Sequence, residues 1–536
     1  MTFETIQLDF HDTQSFDRLI VDYLSDSPDL QDFYAFDDTL EGIRRRIETY
    51  SNHRLNRQNL KNIVENQYSL ARIRELPAKV AENINLLIEP STFTVTTGHQ
   101  LNLFSGPLYI FYKLISTINL AETLSTKIKG CRFVPVYWMA TEDHDIDEIS
   151  QVNLFGNTYQ WNSSWKGPAG KMPLDGLEEV FSEIEKKFGS ARNGDALKQL
   201  FHDTYLTSSS LAEATRKWVH SLFGEYGLII LDGNDAIFKR QFEDIIADEL
   251  RNQTSSDLIA NTASRMKEKY FAQVNPRAIN LFFLGEDYRS RIIKEGNTFA
   301  VLDTNLTFNE SELLNTLHES PECFSPNVVL RPLYQESILP DVACIGGPAE
   351  IAYWLELKSL FEYHNVPMPV LFLRSCAMII DDSSSGKLEK LALPIQDIFH
   401  SSDELIKKFL STFPDQPPFD DVINEISAAY HQLEKSIESI DPTLIHALEA
   451  EVKKTNSSIE SLRAKTIRSM KRKNETGISQ VKNLKDKLFP DGKLQERVDT
   501  MIPYFLKWGD EFIPQLIKIL DPLQKKFLIL VENKNN

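Results

Sequence analysis

Three stretches of the chain gather side chains able to bind and react. The first is Thr96-Thr97-Gly98-His99-Gln100-Leu101-Asn102-Leu103-Phe104-Ser105-Gly106-Pro107-Leu108-Tyr109. Thr97, His99, Gln100, Asn102 and Ser105 supply hydrogen-bonding groups, and Gly98 and Gly106 let the backbone approach a ligand closely. Pro107 suits the first turn of a helix, with Ser105 or Gly106 near its cap. The second is Glu142-Asp143-His144-Asp145-Ile146-Asp147-Glu148, five carboxylates and an imidazole within seven residues. Asp143, His144 and Asp145 are of types that hold Mg²⁺ or Zn²⁺. The same residues can hold an amine or hydroxyls, with His144 as acid, base or phosphate contact. An acidic run can also serve only to complement a helix N-terminus. The third runs from Asn327 through Arg331 and Gln335, then through Gly346-Gly347-Pro348 to Glu350, Tyr353 and Trp354. Arg331 is a charged, planar fork suited to carboxylate or phosphate. Glu350 and Tyr353 share a helical face, while Trp354 reads as core.

These groups act together only if the fold brings them to one edge. From Phe93 onward, short apolar runs alternate with helical segments. Candidate strands are Phe93–Thr97, Phe133–Met139, Leu228–Leu231, Ala278–Leu284, Phe299–Leu302, Asn327–Leu333, Val342–Ile345 and Val370–Leu373. Several are continuously apolar, as suits a parallel sheet covered on both faces. The alternation predicts a doubly wound α/β core, in which ligands bind at the carboxyl ends of the strands. All three stretches follow such strands. Residues 1–90 read as a mostly helical segment packing on the core, residues 91–380 as the core with an insertion near 157–210, and residues 381–536 as helical. Ile426, Leu433, Ile437, Ile440, Leu444, Leu448, Val452, Thr455, Ile459 and Leu462 follow coiled-coil spacing, interrupted at Asp441-Pro442. Such a seam needs a partner, so this region is expected to make a homodimer, with packing on its own chain as the alternative. Arg463, Lys465, Arg468, Lys471, Arg472 and Lys473 read as a solvated face able to attract anions.

Composition narrows the function. The 536 residues suggest two or three domains. Fifty-eight basic against 77 acidic side chains give a net charge of −19, against broad nucleic-acid binding. Cys131, Cys323, Cys344 and Cys376 are far apart and make no CxxC pair, so neither a disulfide framework nor a zinc site is expected. The N-terminal stretch is acidic, and no run of about 18 apolar residues occurs, so a soluble cytoplasmic protein without a membrane partner is expected. Neither a Walker A sequence nor a strand-borne GxGxxG is present, although a helix N-terminus alone offers N–H groups to a phosphate.

Taken together, Thr97-Gly98-His99-Gln100, Gly106-Pro107-Leu108-Tyr109 with Tyr112-Lys113, and Pro135-Val136-Tyr137-Trp138-Met139-Ala140-Thr141-Glu142-Asp143-His144-Asp145 resemble the motifs of the bacillithiol-biosynthesis cysteine-adding enzymes. Ser325-Pro326-Asn327 to Gln335, Gly346 to Tyr353 and Leu494-Gln495-Glu496-Arg497 extend the resemblance over nearly the whole chain. It implies a Rossmann-like core with inserted connecting segments, similar to class I aminoacyl-tRNA synthetases, plus a C-terminal α-helical coiled-coil domain that dimerises. The implied reaction joins cysteine to the amino group of glucosaminyl malate. Because an amine does not displace the oxygen of a free carboxylate, the resemblance points to carboxyl activation by ATP or another nucleotide; Mg²⁺ stays open. On this reading His144, Asp143 and His99 are the catalytic candidates. Thr97, Gly98, Gln100, Asn102, Glu142, Asp145, Arg331, Gln335, Gly346, Gly347, Glu350 and Tyr353 hold substrate, and Gly106, Pro107 and Tyr109 the nucleotide. The alternatives are a coiled-coil assembly protein with a ligand-binding α/β domain, or a nucleotidyl-transfer enzyme for another small acid.

Overall fold

The computed structural model describes residues 2–50, 55–413 and 417–533; the side chain of Ser105, expected near a helix cap, lies outside the described ones. Five strands form a parallel sheet in the spatial order Val370–Leu373, Asp341–Gly346, Thr92–His99, Arg132–Met139, Ile229–Asp232. By order of appearance within this sheet the sequence is 3-2-1-4-5, the doubly wound arrangement whose switch point lies between the Thr92 and Asp341 strands. Phe93, Val95, Val342, Ala343, Ile345, Val370 and Phe372 are buried in its core with Leu120 and Leu124 of the Leu108–Lys127 helix.

Between Ile229–Asp232 and Asp341–Gly346 the chain builds a second, antiparallel sheet: Thr307–Asn309, Thr298–Val301, Arg289–Glu295, Leu281–Leu284 and Phe324–Pro326. A small hairpin, Gln151–Leu154 with Asn157–Gln160, opens the 157–210 insertion, which continues in helices Leu177–Glu185 and Gly194–Phe201.

Two expectations need correction. Asn327–Leu333 is not a strand. Asn327 Oδ1 accepts from the Val329 N–H at 2.9 Å, and a helix, Arg331–Ile338, starts with Pro332 in its first turn. Proline has no N–H to lose there, so the apolar Val328-Val329-Leu330 run is overruled by turn chemistry. Among its described residues the N-terminal segment carries four α-helices and also one strand, Phe3–Leu8. Residues 381–536 are not one helical domain. The chain forms one compact unit from 1–379 with 493–536, and another from 380–492. Strand Phe527–Glu532 pairs antiparallel with Phe3–Leu8, in a three-stranded sheet that also includes Cys376–Ile380.

The 380–492 unit is helical. Its long helices Phe419–Ile440 and Ile445–Lys473 fold back on each other about Asp441-Pro442, with Tyr430 Oη and Thr455 Oγ1 3.0 Å apart and Arg463 paired to Asp420 at 2.5 Å. Neither helix buries a single residue, and Leu433, Ile440, Leu444 and Leu462 stand exposed. Among the described residues no helix is long and apolar enough to cross a membrane.

Candidate active site

A cavity of about 800 Å³ opens at the carboxyl edge of the parallel sheet, within the usual range for small-ligand sites. One wall comes from the strand-end loops, with Gly98, His99, Gln100 and the run Ala140 to His144; Arg331, Glu350 and Tyr353 line it as well. The opposite wall comes from the second sheet and its approach, with Asn275, Arg277, Phe282, Arg289, Arg291 and Asn327. Placement at the switch point follows from topology: neighbouring crossovers leave there in opposite directions and leave a crevice.

Lys113, on the Leu108–Lys127 helix, anchors the strand-end wall. Its Nζ donates to the Gly98 carbonyl at 2.5 Å and to both Glu350 oxygens at 2.7 and 2.8 Å. Burial pushes the amine toward losing its proton and Glu350 pulls the other way. All three contacts are acceptors, and an ammonium, with three N–H donors and no lone pair, satisfies them together. Burial would raise the Glu350 carboxyl, but Lys113 outweighs it and holds the group low. The Gly347 N–H donates to the same carboxylate at 2.9 Å.

His99 lines the cavity with both ring nitrogens engaged. Nδ1 lies 3.2 Å from the Gln100 carbonyl and Nε2 3.2 Å from the Tyr109 hydroxyl. Burial, helped by the Lys113 charge, lowers its pKa to about 4, so the ring is neutral. A neutral ring satisfies both contacts by donating from Nδ1 and accepting at Nε2, which leaves neither nitrogen free to serve as base. Burial pushes the Tyr109 and Tyr353 phenols up to about 12.

The acidic loop is pinned from several sides. Gln100 Nε2 donates to Asp143 at 2.7 Å and to Glu148 at 2.9 Å. Burial raises the Asp143 carboxyl, but hydrogen bonds from Gln100 and from the His144 backbone N–H, with the Arg289 charge, outweigh it and hold Asp143 ionised well below the usual range. Glu142 accepts from Ser325 Oγ at 2.7 Å and pairs with the buried Lys239 at 2.5 Å. Arg331 donates to Gln335 at 3.0 Å and to the Tyr353 hydroxyl at 3.3 Å, with a guanidinium nitrogen 3.4 Å from where a Cβ on Gly98 would sit.

Other expected site residues lie outside the cavity wall. The Thr97 hydroxyl is spent on the Ile345 carbonyl at 2.9 Å, and Asp145 caps the short Ile146–Ile149 helix. Asn102 reaches the Glu148 carbonyl at 3.5 Å. Gly106 sits at φ 53°, and a Cβ there would meet the Asn102 Cβ at 2.7 Å, so this glycine serves the turn. Pro107 begins the following helix and bridges to Thr500, and Tyr109 contacts the site only through His99. Gly346 ends its strand, and Gly347 caps the helix that carries Glu350. Among the described residues no three or more His, Cys, Asp or Glu side chains are grouped to hold a metal.

Gln335 is buried behind Arg331 and donates to Glu336 at 3.0 Å and to Asp341 at 3.3 Å. Asp341 also accepts from Thr94 and Thr96 at 2.8 and 2.9 Å. Burial and mutual repulsion push Glu336 well up, and burial pushes Asp341 to about 7. A carboxyl with a raised folded-state pKa contributes stability that is fully present below its unfolded value near 4 and lost as pH rises through the folded value. Glu336→Gln imitates the protonated acid. Its melting temperature relative to the parent is expected to climb steadily from pH 5 to pH 8; a pH-independent difference would show that this pair does not share a proton.

Arg277, Arg289, Arg291, Lys113 and Lys239 were not singled out as site residues in the sequence. Lys113 stood in the quoted Tyr112-Lys113 motif, while the arginines are scattered in a polar strand and its approach, with no spacing to mark them.

A Rossmann-like α/β unit with a strand-end pocket, joined to a unit containing a helical hairpin, defines a two-part class of protein, and comparison by sequence agrees. Residues 1–375 match the family model described as "Bacillithiol biosynthesis BshC, N-terminal Rossmann-like domain", and residues 377–532 match "Bacillithiol biosynthesis BshC, C-terminal coiled-coil domain". The chain belongs to the bacillithiol biosynthesis BshC family. A Flavobacterium johnsoniae protein named "Putative cysteine ligase BshC" is 39% identical over 523 residues, covering 96% of this chain and 97% of that protein. Proteins with the same name from Flavobacterium psychrophilum and Christiangramia forsetii are 38% and 37% identical, covering 96% and 98% of this chain and 97% and 98% of theirs.

Proposed function

We propose that the cavity joins the carboxyl of L-cysteine to the amino group of glucosaminyl malate, making the chain the cysteine ligase of bacillithiol biosynthesis. The observation that carries this reading is the division of one cavity between carboxylates and guanidinium groups. Glu142 and Asp143 face an amine-bearing sugar well, and Arg331, Arg277 and Arg291 suit carboxylate and phosphate. Neither Arg277 nor Arg291 has an ion-pair partner among the described residues, so each has its charge available for a ligand.

The cysteine carboxylate needs activation. On this reading it attacks the α-phosphorus of ATP, expelling pyrophosphate and leaving an acyl adenylate, or the γ-phosphorus, expelling ADP and leaving an acyl phosphate. The neutral sugar amine then adds to the acyl carbon, the C–O bond to AMP or phosphate breaks, and the nitrogen's proton passes to solvent. The Asp143 carboxylate, held ionised, positions that amine, and Arg331 steadies the negative oxygens. The helical unit makes the homodimer, supported by the exposed Leu433, Ile440 and Leu444 on its hairpin, and the enzyme works in the cytoplasm.

The decisive experiment incubates purified protein with cysteine, glucosaminyl malate, ATP and Mg²⁺ and seeks the thiol product by mass spectrometry. Product that requires the nucleotide is expected; folded protein that binds these ligands without ligating them would favour a binding module instead. Neutralising both outer arginines, Arg277→Gln with Arg291→Gln, is expected to raise the KM for the malate-bearing acceptor about tenfold or more while changing the KM for cysteine less than threefold. An equal rise for both would remove these residues from acceptor recognition.

A further inference from the structure

We infer that Arg289 is a positioning residue that fixes His144 as its Nε2–H tautomer, so that the ring offers the cavity a hydrogen-bond donor and not a base. A guanidinium nitrogen of Arg289 lies 3.1 Å from His144 Nδ1. Arginine has no acceptor, so this contact is a hydrogen bond only if Nδ1 presents its lone pair. In the neutral ring the proton then sits on Nε2, because the bond made by one ring nitrogen sets the state of the other. His144 lines the cavity, and its Nε2 has no hydrogen-bond partner among the described residues.

The competing arrangement would donate from Nδ1 to Asp143. That carboxylate oxygen is 3.8 Å from Nδ1, beyond hydrogen-bond reach, and already accepts from the His144 backbone N–H at 2.7 Å. The other Asp143 oxygen accepts from Gln100. Arg289, meanwhile, has little freedom to turn away. Its Nε donates to Ser325 Oγ at 3.1 Å and a second terminal nitrogen to the Pro326 carbonyl at 3.2 Å. Its Cζ lies 3.9 Å from the centre of the Phe282 ring, against which the His144 ring also packs with centroids 5.5 Å apart. Only 9% of the Arg289 side chain is exposed. The second sheet thus reaches across the cavity and sets the chemistry of a residue on the first.

A donor at Nε2 fits an anionic oxygen: a carboxylate, a phosphate, or the oxyanion formed as an amine adds to an activated acyl group. The functional half of this inference rests on the ligase reading; the tautomer does not. The full chain would be grown with ¹⁵N-histidine and studied by long-range ¹H–¹⁵N correlation at pH 8, with His144 assigned by comparison with His144→Gln. The wild-type ring is expected to carry its proton on Nε2 and none on Nδ1. Arg289→Leu is expected to move the proton toward Nδ1, because Asp143 becomes the nearest partner. In the ligation assay Arg289→Leu should lower kcat by about 10–100-fold with the acceptor KM changed less than threefold, and Arg289→Lys should restore part of the loss. A wild-type proton on Nδ1, an even mixture of tautomers, or the same tautomer in a folded Arg289→Leu protein would overturn the inference. A loss confined to KM would overturn its functional half. If Arg289→Leu does not fold, the wild-type spectrum alone decides the tautomer. Absence of ligation by wild-type protein would count against the ligase reading and leave the tautomer result standing.

Discussion

Lys113→Met is expected to destabilise the first unit by about 3–5 kcal/mol, the usual cost of leaving one member of a buried ion pair uncompensated. The Lys113 side chain is only 1% exposed and Glu350 30%. Methionine fills much the same space but returns none of the three hydrogen bonds, so the Gly98 carbonyl and the Glu350 carboxylate both lose their buried donor. Unfolding in urea should show a lower midpoint for the first transition with an unchanged slope. The double variant Lys113→Met with Glu350→Gln should recover part of the loss, because it removes the stranded charge as well as its partner. A single variant within about 1 kcal/mol of the parent would mean that water replaces the ammonium, and the pair would no longer explain how the strand-end wall is held.

Arg331→Ala is expected to lower kcat/KM by about 100–1000-fold with little change in fold. The side chain makes two hydrogen bonds, to Gln335 and Tyr353, and it projects beside Gly98 at the centre of the strand-end wall. A hundredfold loss corresponds to about 2.7 kcal/mol of transition-state stabilisation, a scale that charge-assisted bonds in a sheltered site can supply. Arg331→Lys retains the charge but cannot hold Gln335, Tyr353 and a ligand oxygen in one plane, so it should fall between the two. Steady-state kinetics beside circular dichroism would check this. Near-parental kcat/KM in Arg331→Ala would take this residue out of the site and shift anion recognition to the second-sheet wall.

The parts of the fold that were legible are those with a local signature. Val134, Ile230, Ile345 and Leu371 sit in runs apolar on both faces, which suit a parallel sheet covered on both sides. The loops after these strands were legible as a site because topology sends every carboxyl end to one edge. Phe3–Leu8 escaped because its pairing is remote: Gln7 bonds Gln524, 517 residues away, and no local pattern encodes such a partner. Asn327–Leu333 misled because β-branched residues outweighed the Asn and Pro signals around them. Within the site, Arg277, Arg289 and Arg291 escaped for a different reason. Their meaning comes from the strand-end loop they face, which lies more than a hundred residues earlier and touches them only after both sheets form, as the 145-residue separation of Arg289 and His144 shows.

The pairing of Phe3–Leu8 with Phe527–Glu532 also bears on the order in which the chain is made. The first strand leaves the ribosome early, and its partner emerges only after the helical 380–492 unit has passed. At synthesis rates of about 5–20 residues per second, a separation such as the 517 residues from Gln7 to Gln524 imposes a wait of roughly half a minute to nearly two minutes. The two strands differ in a way that suits this delay. Glu4, Thr5 and Gln7 keep the waiting strand half polar, with three of its six residues exposed. The apolar Phe-Leu-Ile-Leu-Val run is carried by the later strand, which inserts between Phe3–Leu8 and Cys376–Ile380 as the central strand of that sheet and is covered at once.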